Sequence, residues 1–109
     1  MYDPVAIANN VEIQQMSPTK VGQQIKITSR TPTQAIDLQV LSDRRLRILV
    51  FSVMIIGLKK GIYDRVERRV KELGYTEVEV LTDDPEEVEF YLSQGYVHVS
   101  GNRYIKKIR

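Results

Sequence analysis

Asp84-Pro85-Glu86-Glu87-Val88-Glu89-Phe90-Tyr91-Leu92-Ser93-Gln94-Gly95-Tyr96 carries the marks of a complete short helix at both ends. Asp84 supplies an N-cap oxygen, Pro85 suits the first helical position, and Glu87 stands three residues after the cap, as in a capping box. Glu86, Glu87 and Glu89 put negative charge at the positive end of the helix dipole. Gly95 fits the left-handed residue that closes a helix, and Tyr96-Val97-His98-Val99 then reads as a strand.

Working back from Asp84, Thr76 to Leu81 alternates Val78 and Val80 against Glu77 and Glu79, which predicts another strand. Before it, Ile62, Val66, Val70 and Leu73 form one apolar stripe, so a helix follows Gly57-Leu58-Lys59-Lys60-Gly61, covers Tyr63 onward and ends at Gly74. Leu46 to Ile56 is nearly continuous in apolar residues, as expected for a central strand covered on both faces. Downstream, the turn Ser100-Gly101-Asn102 and Tyr104 to Ile108 complete a terminal hairpin.

The front of the chain carries less pattern. Residues 1–20 read as an extended arm or edge segment, in which Val11-Glu12-Ile13 alternates like a short strand. Val21 to Thr28 reads as a strand, with Ile25 and Ile27 on one face. Thr31 to Leu41 supports two readings. Alternation of Ile36, Leu38 and Val40 suits a strand, whereas Thr31-Pro32-Thr33-Gln34 and the Ile36–Val40 spacing suit a helix. The strand reading is carried forward, although periodicity alone does not settle so short a run.

Together these elements predict an α+β domain with a mixed, largely antiparallel central sheet and two main helices. At 109 residues the chain is one domain, with its organised core in residues 46–109. A hydrophobic fraction of 42% and a charged fraction of 28% are those of an ordinary soluble protein. There is no cysteine and one histidine, His98, which excludes disulfides, thiol nucleophiles and histidine-rich metal sites. No metal site is expected. The longest apolar run, Ile48 to Leu58, is far short of the roughly 20 residues of a membrane-spanning helix. Met1-Tyr2-Asp3-Pro4 lacks a basic region and an apolar signal core, so the expected location is cytoplasmic, or intracellular and virion-associated.

A net charge of +2 is too small to imply a nucleic-acid partner by itself. Tyr63, Tyr75, Tyr96 and Tyr104 lie near basic residues and offer stacking rings, but the acidic stretch from Glu77 to Glu89 opposes phosphate. A serine triad and a dinucleotide-binding fingerprint are both absent.

From Leu46 onward the order of elements resembles the C-terminal half of the GNAT acyltransferases, which transfer an acyl group from coenzyme A to an amine. That family has an Asn that starts a helix, a Tyr seven residues later, and then Gly followed by an aromatic. Asp84, Tyr91, Gly95 and Tyr96 stand at that spacing, with Asp in place of Asn. Leu73-Gly74-Tyr75 before an apolar strand, and Tyr104-Ile105-Lys106-Lys107-Ile108 in the closing hairpin, are also similar.

The resemblance implies acetyl-CoA or another acyl-CoA as cofactor and a small-molecule or peptide amine as acceptor. It gives Tyr91 the role of general acid towards the departing coenzyme A thiolate. Backbone groups around Val53 and Ile55 would pair with the pantetheine arm. The N–H groups of Gly61, Ile62 and Tyr63 would hold the pyrophosphate, with Lys59 and Lys60 attracting it. Asp84 joins the cofactor-binding set through the position of the family's Asn. The local readings are plainer: Tyr91 packs with Val88 and Phe90 against the sheet, and Lys59-Lys60-Gly61 is a turn before a surface helix.

Three departures accompany the resemblance. In the phosphate loop, Leu58 stands where the family has a basic residue or Gln, and Tyr63 where it has a second Gly or Ala. The pair of helices that follows the family's first strand has no counterpart between Val11 and Leu46. The central strand Leu46 to Ile56 offers no carboxylate as a base, and Glu77 and Glu79 read as surface residues or arginine partners. The resemblance implies a small acyl-CoA-dependent N-acyltransferase, whereas the departures are what a catalytically silent relative would show. The alternatives are a catalytically silent GNAT-like subunit of a homo-oligomer or larger, even viral, assembly, and a small nucleic-acid-binding domain.

Overall fold

In the computed structural model, residues 13, 20–28, 34–53 and 57–108 are described. Six strands form one sheet: β1 (Gln24–Thr28), β2 (Gln34–Val40), β3 (Arg45–Val53), β4 (Glu77–Leu81), β5 (Val97–Ser100) and β6 (Arg103–Lys107). Their spatial order is β1-β2-β3-β4-β6-β5. Helix α1 (Lys59–Glu72) connects β3 to β4, and α2 (Pro85–Ser93) connects β4 to β5. Among the described residues, only β3 and β4 pair in parallel, and every other neighbour is antiparallel. This is the expected mixed, largely antiparallel α+β architecture.

Thr31 to Leu41, where two readings stood, contains strand β2, with Ile36 opposite Phe51 and Val40 opposite Leu46. Two strands at hand outweigh a local helical start, because Ile36, Leu38 and Val40 are then buried on one face. Ile13, expected in a short strand, is helical and fully buried in the core. Residues 1–12 and 14–19 of the expected arm, and Ile55, lie outside the described residues.

Both crossovers move in the same direction across the sheet, so right-handed connections put α1 and α2 on one face. The buried face of the sheet comprises Ile25, Ile36, Leu38, Val40, Leu46, Ile48, Phe51, Val78, Val80 and Tyr104, covered by Ile62, Tyr63, Val66 and Val70 of α1 and Tyr91 of α2. Each such aliphatic side chain contributes about 1.5–3 kcal/mol when fully buried. Period two places Arg45, Arg47, Glu77, Glu79, Arg103, Ile105, Lys107 and Val97 on the opposite face.

Both helices end as their glycines predict. Gly74 and Gly95 have φ of +98°, Tyr75 N–H donates to the Val70 carbonyl, and Tyr96 N–H donates to the Tyr91 carbonyl. These are Schellman closures. At the other end of α2, Asp84 caps by accepting from Glu86 N–H at 3.0 Å.

Two expectations need correction. Helix α1 begins at Lys59, not near Tyr63, so Lys59, Lys60 and Gly61 form its first turn rather than a loop before it. The glycine that the backbone requires is Gly57, with φ of +90°, whereas Gly61 is helical. Strand β3 is not covered on both faces, because Leu49 and Val50 are 38% and 40% exposed. Both helices lie on the other face, and a β-bulge turns Val50 outward beside Leu49.

Candidate functional site

In the β2–β3 pairing, Leu38 faces Ile48 and Asp37 faces Val50, so Leu49 is an extra residue on β3. Such a bulge shifts the side-chain phase by one. Leu46 and Ile48 are buried before it, and Phe51 is buried after it. The parallel ladder between β3 and β4 stops at the same place. Its rungs run from Arg45↔Glu77 to Ile48↔Val80, while β3 continues to Val53. Leu49 to Val53 therefore have no ladder partner on that side among the described residues. Val53, expected to pair with the cofactor arm, lies on this stretch and is half-buried.

The first turn of α1 follows β3 after the Gly57 turn. Its N-cap, Leu58, makes no side-chain hydrogen bond, and no acidic residue occupies the first turn. The first helical bond runs from Ile62 N–H to the Leu58 carbonyl at 3.0 Å. A helix leaves its earliest N–H groups without intrahelical acceptors. Among the described residues, the N–H groups of Lys59, Lys60 and Gly61 have no acceptor, and the expected set of Gly61, Ile62 and Tyr63 is displaced towards the N-terminus. The two lysines oppose the helix dipole unless an anion shares the turn.

Their side chains are not idle. Lys59 Nζ lies 4.4 Å from the centre of the Phe90 ring, and Lys60 Nζ lies 3.3 Å from Asp64 and 3.4 Å from Gln94 Oε1. These contacts join α1 to α2 on the side where the uncapped turn opens. A Cβ added to Gly61 would meet nothing within 4 Å.

Tyr63 belongs to the core. Its ring makes edge contacts with Phe51, Phe90, Tyr91 and Tyr96. The hydroxyl lies 3.1 Å from Glu67 Oε1, which also receives Lys106 Nζ at 2.5 Å. Burial holds the Tyr63 and Tyr96 phenols above their ordinary value. Tyr63 therefore ties α1 to the C-terminus of α2, a role that its place in the phosphate-loop pattern did not suggest.

Tyr91 sits between these rings, 5.1 Å from Tyr96 and 5.3 Å from Phe90 between centroids, and is 2% exposed. Burial, with a smaller contribution from the Glu87 charge, raises its phenol well above the usual value. It stays protonated throughout the neutral range. No described residue hydrogen-bonds its hydroxyl, in contrast to those of Tyr63 and Tyr96. Asp84 is occupied as a helix cap.

On the opposite face, Glu79 is 1% exposed and is held by two arginines. Arg47 Nε donates to one carboxylate oxygen at 2.7 Å, and Arg103 Nε donates to the other. Burial pushes this carboxyl up, but the two hydrogen bonds and charges outweigh it, leaving the net value below the ordinary one. Glu79 is an arginine partner, as expected, but not a surface residue. A carboxylate so held is a poor base. Alongside, Arg45 Nη2 donates to Glu77 at 2.6 Å.

The sequence contained signals for both missed features. Arg47 and Ser52 lie five apart in an otherwise apolar run, which strict alternation does not permit on one face, so the phase must slip between them. Arg45 and Arg47 share the spacing of Glu77 and Glu79, which parallel pairing turns into facing charges. Among the described residues no group of His, Asp or Glu is arranged to hold a metal ion, and no helix is long and apolar enough to cross a membrane.

No model of a known protein family matches the sequence, and no curated protein does. Solved structures do match. An acetyltransferase of the GNAT family from Staphylococcus aureus superposes with a TM-score of 0.68 at 15% identity, over 99% of this chain and 81% of that one. An N-acetyltransferase described as putative, from Lactobacillus plantarum, gives 0.66 at 14% identity, over 98% and 94%. The PaiA N-acetyltransferase of Thermoplasma acidophilum, solved in complex with coenzyme A, gives 0.63 at 16% identity, over 77% of this chain. This chain spans 60% of the length of that enzyme. The chain therefore has the fold of the GNAT acetyltransferases, a mixed sheet with helices in its crossovers.

Proposed function

We propose that the chain is a small N-acyltransferase that uses an acyl-CoA. The observation that supports this most directly is the ladder between β3 and β4. It stops at Ile48↔Val80, beside a bulge at Leu49 and upstream of an uncapped, lysine-bearing helix start. The coenzyme fits both features chemically. Its amide-containing arm suits the β4-facing edge of Leu49 to Val53, which has no ladder partner among the described residues, and its phosphates suit the N–H groups of Lys59, Lys60 and Gly61.

When bound, the thioester supplies an activated acyl group. The residues of the chain do the rest. Lys59 and Lys60 attract the phosphates, and the α1 dipole favours negative charge at its start. Tyr91, protonated at neutral pH, donates to the departing sulfur. Glu79 is disqualified as the base by its two arginines, which leaves water or another carboxylate to take the proton of the acceptor amine.

Calorimetry with acetyl-CoA tests the proposal. Saturable binding at or below about 1 mM, weakened by Lys60→Glu, is expected. Absence of heat at that concentration sinks it. The competing reading is a catalytically silent interaction module, favoured by the burial of the Tyr91 ring and by the capture of Lys60 by Asp64 and Gln94. It predicts that absence of binding.

A further inference from the structure

The arginine pair around Glu79 has more cationic capacity than one carboxylate uses. Among the described residues, Arg47 and Arg103 each engage Glu79 only through Nε, and neither Nη edge has a partner. Their side chains are 31% and 37% exposed, while Glu79 beneath them is sealed. Two guanidinium groups and one carboxylate leave a net positive charge at a fixed point on the sheet. Glu79 orients both forks by holding each at the same side-on position. A guanidinium fork presented in this way matches the paired oxygens of a carboxylate or phosphate.

The location gives this charge a purpose. Arg47 and Glu79 form the penultimate rung of the β3–β4 ladder, and Arg103 lies opposite Leu81, the last residue of β4. The cluster therefore borders the interruption, on the face turned away from α1 and α2. Leu49 and Val50, both exposed, begin the stretch of β3 that has no β4 partner among the described residues. Leu49, at the bulge, is two strand steps from Arg47, about 7 Å of backbone. An acceptor approaching from this face would meet the cationic pair, then an apolar surface, then the site of transfer.

We propose that Arg47 and Arg103 form the recognition site for an acidic group on the acyl acceptor, so that the acceptor is a small amine carrying a carboxylate or phosphate. The inference rests on the acyltransferase reading. Arg47 and Arg103 are specificity residues that hold the acceptor's anionic end, and Glu79 positions them. The exposed side chains of Leu49 and Val50 accommodate its aliphatic part.

The test follows the arginine Nε–Hε signals of the full chain by NMR, in the presence of acetyl-CoA. The probes are inorganic phosphate and amine pairs that differ by one carboxylate: lysine against cadaverine, and ornithine against putrescine. Phosphate and the carboxylate-bearing amines should shift the Arg47 and Arg103 signals, and the decarboxylated partners should not. Loss of a charge-assisted fork should weaken the response about tenfold or more in Arg47→Lys and Arg103→Lys, which keep the charge and the partner for Glu79. Acetyl-CoA binding with arginine signals that do not respond overturns the acceptor assignment alone. Equal responses to both members of each pair also overturn it. An arginine response without acetyl-CoA binding overturns the enzyme reading and the acceptor assignment with it.

Discussion

The Tyr63 hydroxyl lies 2.7 Å from the Tyr96 hydroxyl, joining the middle of α1 to the residue that follows the closing glycine of α2. A hydroxyl has one proton to give. Glu67 Oε1, which already takes Lys106 Nζ, accepts the Tyr63 proton, so Tyr63 donates to Glu67 and accepts from Tyr96. The order Tyr96, Tyr63, Glu67, Lys106 is then a satisfied chain that binds both helices to β6.

Tyr63→Phe breaks this chain in the middle and leaves the buried Tyr96 hydroxyl without an acceptor. Its cost should be about 1–3 kcal/mol, whereas Tyr96→Phe, which leaves Tyr63 bonded to Glu67, should cost about 1 kcal/mol. Urea unfolding of both variants and of the double variant provides the check. Simple additivity would show that the hydroxyls are not coupled.

Glu79 makes stability depend on pH in a defined direction. Its folded value lies below the ordinary carboxylate value because Arg47 and Arg103 outweigh its burial. Its contribution is therefore fully present above the unfolded value and lost as the pH falls through the lower folded value. Glu79→Gln should remove that component. The difference in unfolding free energy between wild type and variant should be largest near neutral pH and shrink towards about pH 3. A constant difference would mean that the variant acts through packing alone.

How much of this was legible in the sequence depended on whether the signal was local. Asp84, Pro85 and Gly95 specify α2 by themselves, because caps and closures act within one turn. The buried faces of β2, β4 and β6 also followed from alternation. The start of α1 did not, since Gly61 in its first turn looked like a loop, and a helix tolerates such a glycine at about 1 kcal/mol. Glu79 remained hidden for a different reason. Its burial depends on Arg103, distant in the chain and brought near only by the β4–β6 pairing.

Tyr91→Phe separates packing from chemistry. The ring is the buried part and the variant retains it, while no described residue bonds the lost hydroxyl. Thermal stability should change by less than about 1 kcal/mol. Acyl transfer should fall about 100-fold or more if the hydroxyl is the proton donor. Unchanged turnover with an acceptor amine would make Tyr91 a packing residue only.

Gly95 and Gly61 should respond to alanine in opposite ways. At Gly95 the backbone is left-handed, with φ of +98°, and an added Cβ would lie 3.4 Å from Lys106 Cε. The left-handed geometry alone disfavours a side chain by about 1–2 kcal/mol, so Gly95→Ala should lower the melting temperature. Gly61 is helical with open space around the new Cβ, and alanine there should stabilise the fold by about 0.5–1 kcal/mol. That same open space lies at the uncapped start of α1, where the proposed phosphate site requires close approach to the Gly61 N–H. Gly61→Ala should therefore raise the melting temperature of the free protein and weaken acetyl-CoA binding by calorimetry. A stabilised variant with undiminished affinity would show that the phosphates do not sit against Gly61.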